Sequence, residues 1–547
     1  MRDVELRASV YGELFFASLI DLLAHYSRDP IERIPMIDVL LMSPHRSQRT
    51  VSAFERVVHL VQNIEVPDTA RHLNTHIRPN IQDNIENIVE DIYSRDNRSV
   101  VVIVGKNPRN VGGHVTTKIS GLTTIGSRTF ATGGLLWIDP EADICLSLPT
   151  INFLVVGCVS KAALFDTNTS QVVVKNRPLE MNEISRVLSW ARNTDTPSSV
   201  RIVLDQSAEN LNRLADPPST AWNSNLPWLV LELIGLFRDR KLEHLPIRPP
   251  PDPSAFLETI SRLYKMGLVG KTERRKLSNT VNGTSALSAI RFMRKAARFP
   301  CQIDIHAARL IASARSEQGP RVRRVLLRLA AISIVGTKNF CGLTDERPPP
   351  KEIQDQCNGT GQKLFHRGSL WAALGIYQDC FIKGEISEKA ENITKGPLLV
   401  NGRYGFRIWG IVSALEDFIS LAKADNEEAA TLLGDDEIAR VDQYLLQAWF
   451  HRVVRVHCRT KRISDMASSI TNIHVSEGTE YLDLEARAQV CDRYGCFYAI
   501  YDNLRVDEDK SIVVDGLTYL PYNTFNRLEV PGGATWLAAV KTNYPIH

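Results

Sequence analysis

Gly270-Lys271-Thr272, inside "YKMGLVGKTERRKL" (264–277), is the triplet whose residue types most directly suggest chemistry. A phosphate loop reads G-x-x-x-x-G-K-[ST], so that successive backbone N–H groups curl around a phosphate. Counted back from Gly270, its first glycine falls on Lys265. The preceding "DPSAFLETISRLYKMG" places Phe256, Ile260, Leu263 and Met266 on one helical face, with Asp252 or Ser254 as cap and Gly267 as terminator. The spacing therefore predicts a helix end followed by a short basic strand, and not a nucleotide cradle.

Other reactive residues fare similarly. His45 follows an apolar run, where sites form in α/β sheets, but no histidine, cysteine or carboxylate lies near it in sequence, and it reads as a loop residue. Asp304 and His306, in "QIDIHAARL", read as a helix cap. The 9 cysteines are scattered; Cys491 and Cys496 form the closest pair, with no second pair at zinc spacing. Free thiols in a reducing compartment are expected. The sequence has no catalytic triad, zinc signature or dinucleotide fingerprint, so no metal site is predicted.

Positive charge is more informative. The net charge is only +3, yet "KTERRK" (271–276), "RFMRKAAR" (291–298), "RVRRVLLR" (321–328) and "RVVRVHCRTKR" (452–462) all fall in the second half. Such clustering suits a polyanion, or else solubilises helices whose other faces are buried. Hydrophobic content of 44% and charged content of 23% describe an ordinary globular chain. No apolar run approaches the ~18 residues of a membrane span, and "MRDVELRASVYGEL" is too charged for a signal peptide.

These side chains must be placed by several structural units. Residues 1–225 alternate short apolar runs, "MIDVLLMS" (36–43), "SVVVIVG" (99–105), "INFLVVG" (151–157) and "SVRIVLD" (199–205), with helical patterns such as "GELFFASLIDLLAHYS" and "IQDNIENIVEDIYS". That alternation predicts open parallel sheets. After "RPPPDPS" (248–254) helical periodicity dominates to about residue 425, interrupted by a polar loop at 344–362. One further helix, "DEIARVDQYLLQAWFHRVVRV", precedes "GCFYAIYDNLRV", "SIVVDGLTYL" and "TWLAAVKT", short alternating segments that suggest a small β-barrel.

The order of these elements resembles the C-terminal part of DEAH-box/RHA-type RNA helicases. "PWLVLELIGLFRDRKLEHLPIRPPPDPSAFLETISRLYKMGLV" looks like that family's winged-helix entry. "FMRKAARFPCQIDIHAARLIASARSEQGPRVRRVLLRLAAISIVG" is similar to its helical region. "LFHRGSLWAALGIYQDC" follows a further family pattern, with Ser369 where an aspartate stands. Upstream, "VLLMSPHRSQRTVSAF", "VVVIVGKNP" and "ISRVLSWARNTDTPSSVRIV" resemble segments of the paired RecA-like lobes. The resemblance implies P-loop-NTPase (RecA-like) parallel sheets followed by a winged helix, a helical bundle and an oligonucleotide-binding (OB) barrel. The expected divisions are a partial first lobe at 1–70 and a degenerate second lobe at 71–225. A winged helix at 226–290, a helicase-associated helical domain at 291–430 and an OB fold at 431–547 follow.

Departures from the family pattern bear on activity. Its metal-holding Asp-Glu pair should precede the first helix, where this sequence reads Ser9-Val10-Tyr11-Gly12-Glu13. In the arginine motif, Arg186 and Arg192 keep the outer spacing, but Ser189 replaces the middle arginine, and Leu188 and Trp190 replace glycines. Phosphoryl transfer relies on clamping phosphate and metal, so the resemblance implies a helicase-like protein without ATP hydrolysis. It would serve as a single-stranded RNA-binding or ribonucleoprotein scaffold with no cofactor. The alternative is an ATP- and Mg²⁺-dependent RNA helicase whose phosphate-loop region precedes this sequence. Arg186 and Arg192 are then weak nucleotide contacts or plain surface arginines. The RNA wall implied by the resemblance would use Arg294, Lys295, Arg298, Arg321, Arg323, Arg324, Lys461 and Arg462, with Tyr494 and Phe497 stacking on bases. A protein partner on the OB fold, no membrane contact, and an intracellular location with nucleus and cytoplasm both open complete the expectations.

Overall fold

In the computed structural model, residues 9–28, 48–57, 87, 89–91 and 94 are described, as are the short strands between 74 and 204. Residues 220–541 are described apart from 239, 242–243, 272–275, 297–300, 302, 345–348, 390–391, 423–431, 461, 469, 471–472, 476–494, 507–510, 529 and 532. The run at 36–43, His45, Arg186, Ser189, Trp190, Arg192, Arg298, Lys461 and Tyr494 lie outside them. The chain divides into two compact units. The first holds Met1–Ala163, Val174–Thr220 and Pro246–Pro249; the second holds Leu164–Val173, Ala221–Leu245 and Pro250–His547.

The first unit opens with α1 (Val10–Arg28) and α2 (Gln48–Glu55). Phe16, Ile20 and Leu23 of α1 pack on Ala53 and Phe54 of α2. Residues 122–125 and 143–146 pair as a two-stranded parallel sheet, and the strands of the unit's main sheet begin with β1 (Asn74–Ile77), β2 (Val100–Val104), β3 (Thr116–Ile119), β4 (Gly134–Ile138) and β5 (Ile151–Gly157). After β6 (Ser160–Asp166) and β7 (Gln171–Arg177) comes β8 (Ser199–Leu204). A six-stranded sheet runs β1-β8-β5-β2-β4-β3, and each of its pairings is parallel. Continuous Val/Ile runs such as "VVVIV" suit strands covered on both faces.

One side chain organises the helical end of this unit. Arg248, only 1% exposed, donates to both carboxylate oxygens of Glu13, at 3.2 and 2.5 Å, and to Thr50 Oγ1 at 2.8 Å. Its guanidinium also lies 4.5 Å from the Phe16 ring centroid. A buried arginine needs such a full set of partners, because an uncompensated internal charge is strongly unfavourable.

In the second unit, α3 (Leu226–Leu236) is apolar around nearly its whole circumference and buried accordingly. The Asp252 carboxylate accepts the N–H groups of Ser254 (2.9 Å) and Ala255 (3.2 Å) and so caps α4 (Pro253–Lys265). Gly267, at φ 70°, ends it: its N–H reaches Tyr264 O, and that of Leu268 reaches Leu263 O. The chain then forms β9 (Val269–Lys271), antiparallel to β10 (Leu277–Asn279). Gly270 and Lys271 therefore sit in a hairpin strand, as their context predicts.

Five longer helices follow: α5 (Val281–Lys295), α6 (Ile305–Ser316), α7 (Pro320–Val335), α8 (Ser369–Ile382) and α9 (Gly402–Phe418). A three-stranded sheet of residues 341–343, 398–401 and 392–395 interrupts the helical region that periodicity alone predicts. Asp304 caps α6 by accepting from Ala307 N at 2.8 Å, as expected. His306 is buried, stacked on Trp449 and hydrogen-bonded through Nδ1 to Ala448 O. Burial and the nearby Arg452 charge push its pKa down to about 4, so it stays neutral.

The expected helix through residue 456 ends earlier. Helix α10 (Asp435–Ala448) gives way to β11 (Val453–His457), where β-branched Val453, Val454 and Val456 are buried and Arg455 is exposed. Strands β12 (Ile463–Asp465), β13 (Ile473–Val475), β14 (Cys496–Ile500), β15 (Asn503–Val506), β16 (Ile512–Asp515) and β17 (Thr518–Leu520) follow. They form two sheets, β12-β11-β14-β17 and β13-β16-β15-β7-β6. Both contribute to one core, which includes Val173, Val456, Phe497, Tyr501 and Val514. Strands β6 and β7 thus complete a sheet far from them in sequence. Gln171 fastens this hairpin through its buried amide, which donates to His451 O and Tyr501 Oη; Tyr501 in turn donates to Asp465. "TWLAAVKT" is not a strand but α11 (Trp536–Lys541), because Trp536, Ala539 and Val540 bury at helical spacing. Cys301, Cys341, Cys357, Cys380 and Cys496 are free, as expected, and the fold buries all five; Cys458, in the turn after β11, is instead disulfide-bonded.

Candidate nucleic-acid interface

Most of the predicted RNA-wall residues within the described structure already hold internal partners. Phe497 is 2% exposed and belongs to the core between the two C-terminal sheets, so it has no face to offer a base. The alternation of β14 against β11 places it there: Phe497 pairs with Val456, and both point inward. Arg323 donates to Ala314 O at 3.1 Å and Ile419 O at 3.0 Å, carbonyls at the ends of α6 and α9. Arg324 is buried, with a bond to Ala422 O at 3.1 Å. Arginine near a helix C-terminus satisfies carbonyls that the helix leaves open. Arg294 lies 4.4 Å from the Trp228 ring centroid, and Arg321 reaches Glu437 at 3.5 Å. Lys295 and Arg462 are exposed, as a phosphate contact requires.

Further exposed cations stand on α9, the helix that packs against α5 through Phe418 and Phe292. Helix α9 begins at Asn401, whose side chain accepts from Tyr404 N at 3.2 Å. Its "GRYGFRIWG" segment sets Arg403 and Arg407 one turn apart, both exposed. Neither forms an ion pair with a described carboxylate. Burial raises the pKa of Cys301, while Arg407 pulls it down, which places this cation close to the segment that follows α5. At the far end of α9, Phe418 packs on Phe292 of α5, with centroids 5.0 Å apart, and exposed Arg315 lies 5.5 Å from the Phe418 centroid. Near the start of the helix, Phe406 stacks on Trp409 at 5.3 Å and 22°. All four rings are partly exposed.

A second basic surface lies on the β11–β12 hairpin, where Arg455, Arg459 and Arg462 are exposed. Arg455 is opposite Tyr498, which is itself covered by Tyr522 and Phe525. Tyr522, 40% exposed, is the accessible aromatic here. Sequence reasoning passed over Arg403, Phe406, Arg407 and Trp409 because they form no dense Lys/Arg run. Their signal is basic and aromatic residues interleaved at helical spacing.

Nucleotide chemistry finds no footing at the two described positions that bear on it. Glu13 is the only carboxylate of residues 9–13, and it lies inside α1 paired to Arg248 rather than open to a metal. The Gly-Lys of 270–271 is tied into β9. ATP and Mg²⁺ therefore do not fit the residues described there. Among the described residues no three His, Cys, Asp or Glu are grouped to hold a metal, and no helix is long and apolar enough to cross a membrane.

No protein-family model matches the chain, and no curated protein matches its sequence. Among solved structures, the chain is similar to the E. coli DExH-box NTPase HrpB, with a TM-score of 0.53 at 13% identity. The match takes in 95% of this chain and 53% of that one, so the chain spans about half the length of its structural neighbour. At this identity the likeness concerns the fold, which is helicase-like.

Proposed function

We propose that this chain is a catalytically silent, helicase-like protein that binds single-stranded RNA without sequence preference and acts as a ribonucleoprotein scaffold. The observation that carries this reading is a set of exposed cations on two helices in contact, Lys295 on α5 and Arg403 and Arg407 on α9, with the partly exposed rings of Phe292, Phe406, Trp409 and Phe418 on the same helices, in a helicase-like fold. Such a combination neutralises phosphates while leaving π-faces for any base. In this reading the C-terminal pair of sheets serves as an OB-like module, with Arg455, Arg459, Arg462 and Tyr522 on its outer side, and residues 226–290 as a winged helix. Catalytic silence is supported by Glu13, which Arg248 holds in a buried pair, and by the strand position of Gly270-Lys271. Arg186 and Arg192 are assigned no catalytic role.

An ATP-driven helicase is the second reading, favoured by the likeness to a DExH-box NTPase. The test combines retention of a fluorescent single-stranded RNA with phosphate release. Salt-sensitive retention without RNA-stimulated hydrolysis supports the scaffold. RNA-stimulated phosphate release overturns it in favour of the motor, and no retention at low salt removes RNA from the account.

A further inference from the structure

The two aromatic pairs on α9 occupy opposite ends of one helix. From Phe406 to Phe418 the helix rises about 18 Å at ~1.5 Å per residue. Arg403, Arg407 and Phe418 share one outward stripe of α9, with Phe406 at its margin. Lys295 ends α5, the helix that carries Phe292 against Phe418. Arg403 and Arg407 thus flank the first aromatic pair, and Lys295 follows Phe292 of the second by one turn of α5.

We infer that α9 is a stacking track for single-stranded RNA: Phe406–Trp409 and Phe418–Phe292 each receive an unpaired base, and Arg403 and Arg407 at the first pair and Lys295 at the second hold the adjoining phosphates. This assignment rests on the RNA-binding reading above and adds the residues that distinguish a base-bearing strand from a bare polyanion. Charge complementarity selects the occupant. Exposed Arg403, Arg407, Lys295 and Arg315 outnumber the one exposed carboxylate of the stripe, Asp417, so the track is net positive, and half-open rings beside guanidinium groups fit a ligand with alternating anionic and flat aromatic parts. An apolar peptide would leave Arg403 and Arg407 without counter-charges. Duplex RNA would keep its base faces stacked internally and away from both stations.

The test compares a uridine 20-mer with an abasic ribose-phosphate strand of equal length, using the full chain. The track predicts that the uridine strand binds more tightly by about 100-fold, about ten-fold for each of the two stacked bases. Phe406→Leu and Phe418→Leu should each lower that ratio by about ten-fold while leaving affinity for the abasic strand unchanged. Leucine keeps apolar bulk and helix propensity, and a thermal melt of each variant confirms folding. If the wild-type chain binds both strands equally, the stacking track is wrong while RNA-backbone binding stands. If it binds neither, the RNA reading itself fails. A base preference that neither substitution lowers overturns the assignment to these rings.

Discussion

Neutralising Lys295, Arg403 and Arg407 together, as Lys295→Gln, Arg403→Gln and Arg407→Gln, should change the salt dependence of RNA binding by a calculable amount. Each cation that contacts a phosphate of a single strand releases counterions and adds about 0.7 to the slope of log K against log salt. Three such contacts amount to about 2 units of slope, so over a fourfold rise in salt the wild type loses about 16-fold more affinity than the variant. All three side chains are exposed, and none forms a described ion pair, so their loss leaves no buried charge behind. Stability should stay within about 0.5 kcal/mol of wild type. The assay is fluorescence anisotropy with a 20-nucleotide RNA between 50 and 200 mM salt. Arg323→Gln with Arg324→Gln is the comparison, because those guanidinium groups bond Ala314, Ile419 and Ala422 carbonyls. That pair should lower the melting temperature and leave the slope unchanged. Parallel lines for wild type and triple variant would refute the reasoning, as would a slope change in the Arg323/Arg324 variant.

Three further outcomes follow from the packing. Arg248→Met should destabilise the first unit by about 3–5 kcal/mol, because it leaves Glu13 buried without its partner; adding Glu13→Leu should recover part of this, as read by urea denaturation. Phe497→Ala should lower stability by about 3–5 kcal/mol, while the RNA affinity of the folded fraction stays at the wild-type value. Burial pushes the Asp442 carboxyl up to about 6 despite the opposing pull of Arg367. Since this lies above the unfolded value, the folded state takes up the proton first. The contribution of Asp442 is therefore fully present below about pH 4 and lost as pH rises to about 6, by about 3 kcal/mol. The difference in unfolding free energy between wild type and Asp442→Asn should fall across that window and level off above it.

Local rules carried the sequence reading where one residue type decides the geometry. Asp252, Gly267 and Asp304 behave as their positions foretell, because capping and the left-handed turn are properties of a few adjacent residues. The valine-rich runs at 100–104, 151–157 and 199–204 likewise become parallel strands. Pairings between distant segments were not legible. Nothing in "QVVVKNR" shows that it completes a sheet with residues near 505, or that Gln171 meets Tyr501. Arg323, Arg324 and Phe497 were misread for a related reason: charge density and aromatic character are visible in sequence, but the carbonyl or core wall that absorbs them is contributed from elsewhere. Arg403 and Arg407 are the converse, sparse in sequence yet exposed beside the Phe406–Trp409 pair on a helix that packs against α5 through Phe418 and Phe292.

The most direct test of the central claim is the affinity of the chain for a fluorescent 20-nucleotide single-stranded RNA across a salt series, measured with and without ATP-Mg²⁺. The account predicts affinity that falls steeply with salt and two curves that coincide, since Glu13 is held by Arg248 and Gly270-Lys271 lie in a strand. Curves separated by nucleotide would mean that a working nucleotide site controls RNA binding, and would contradict the account.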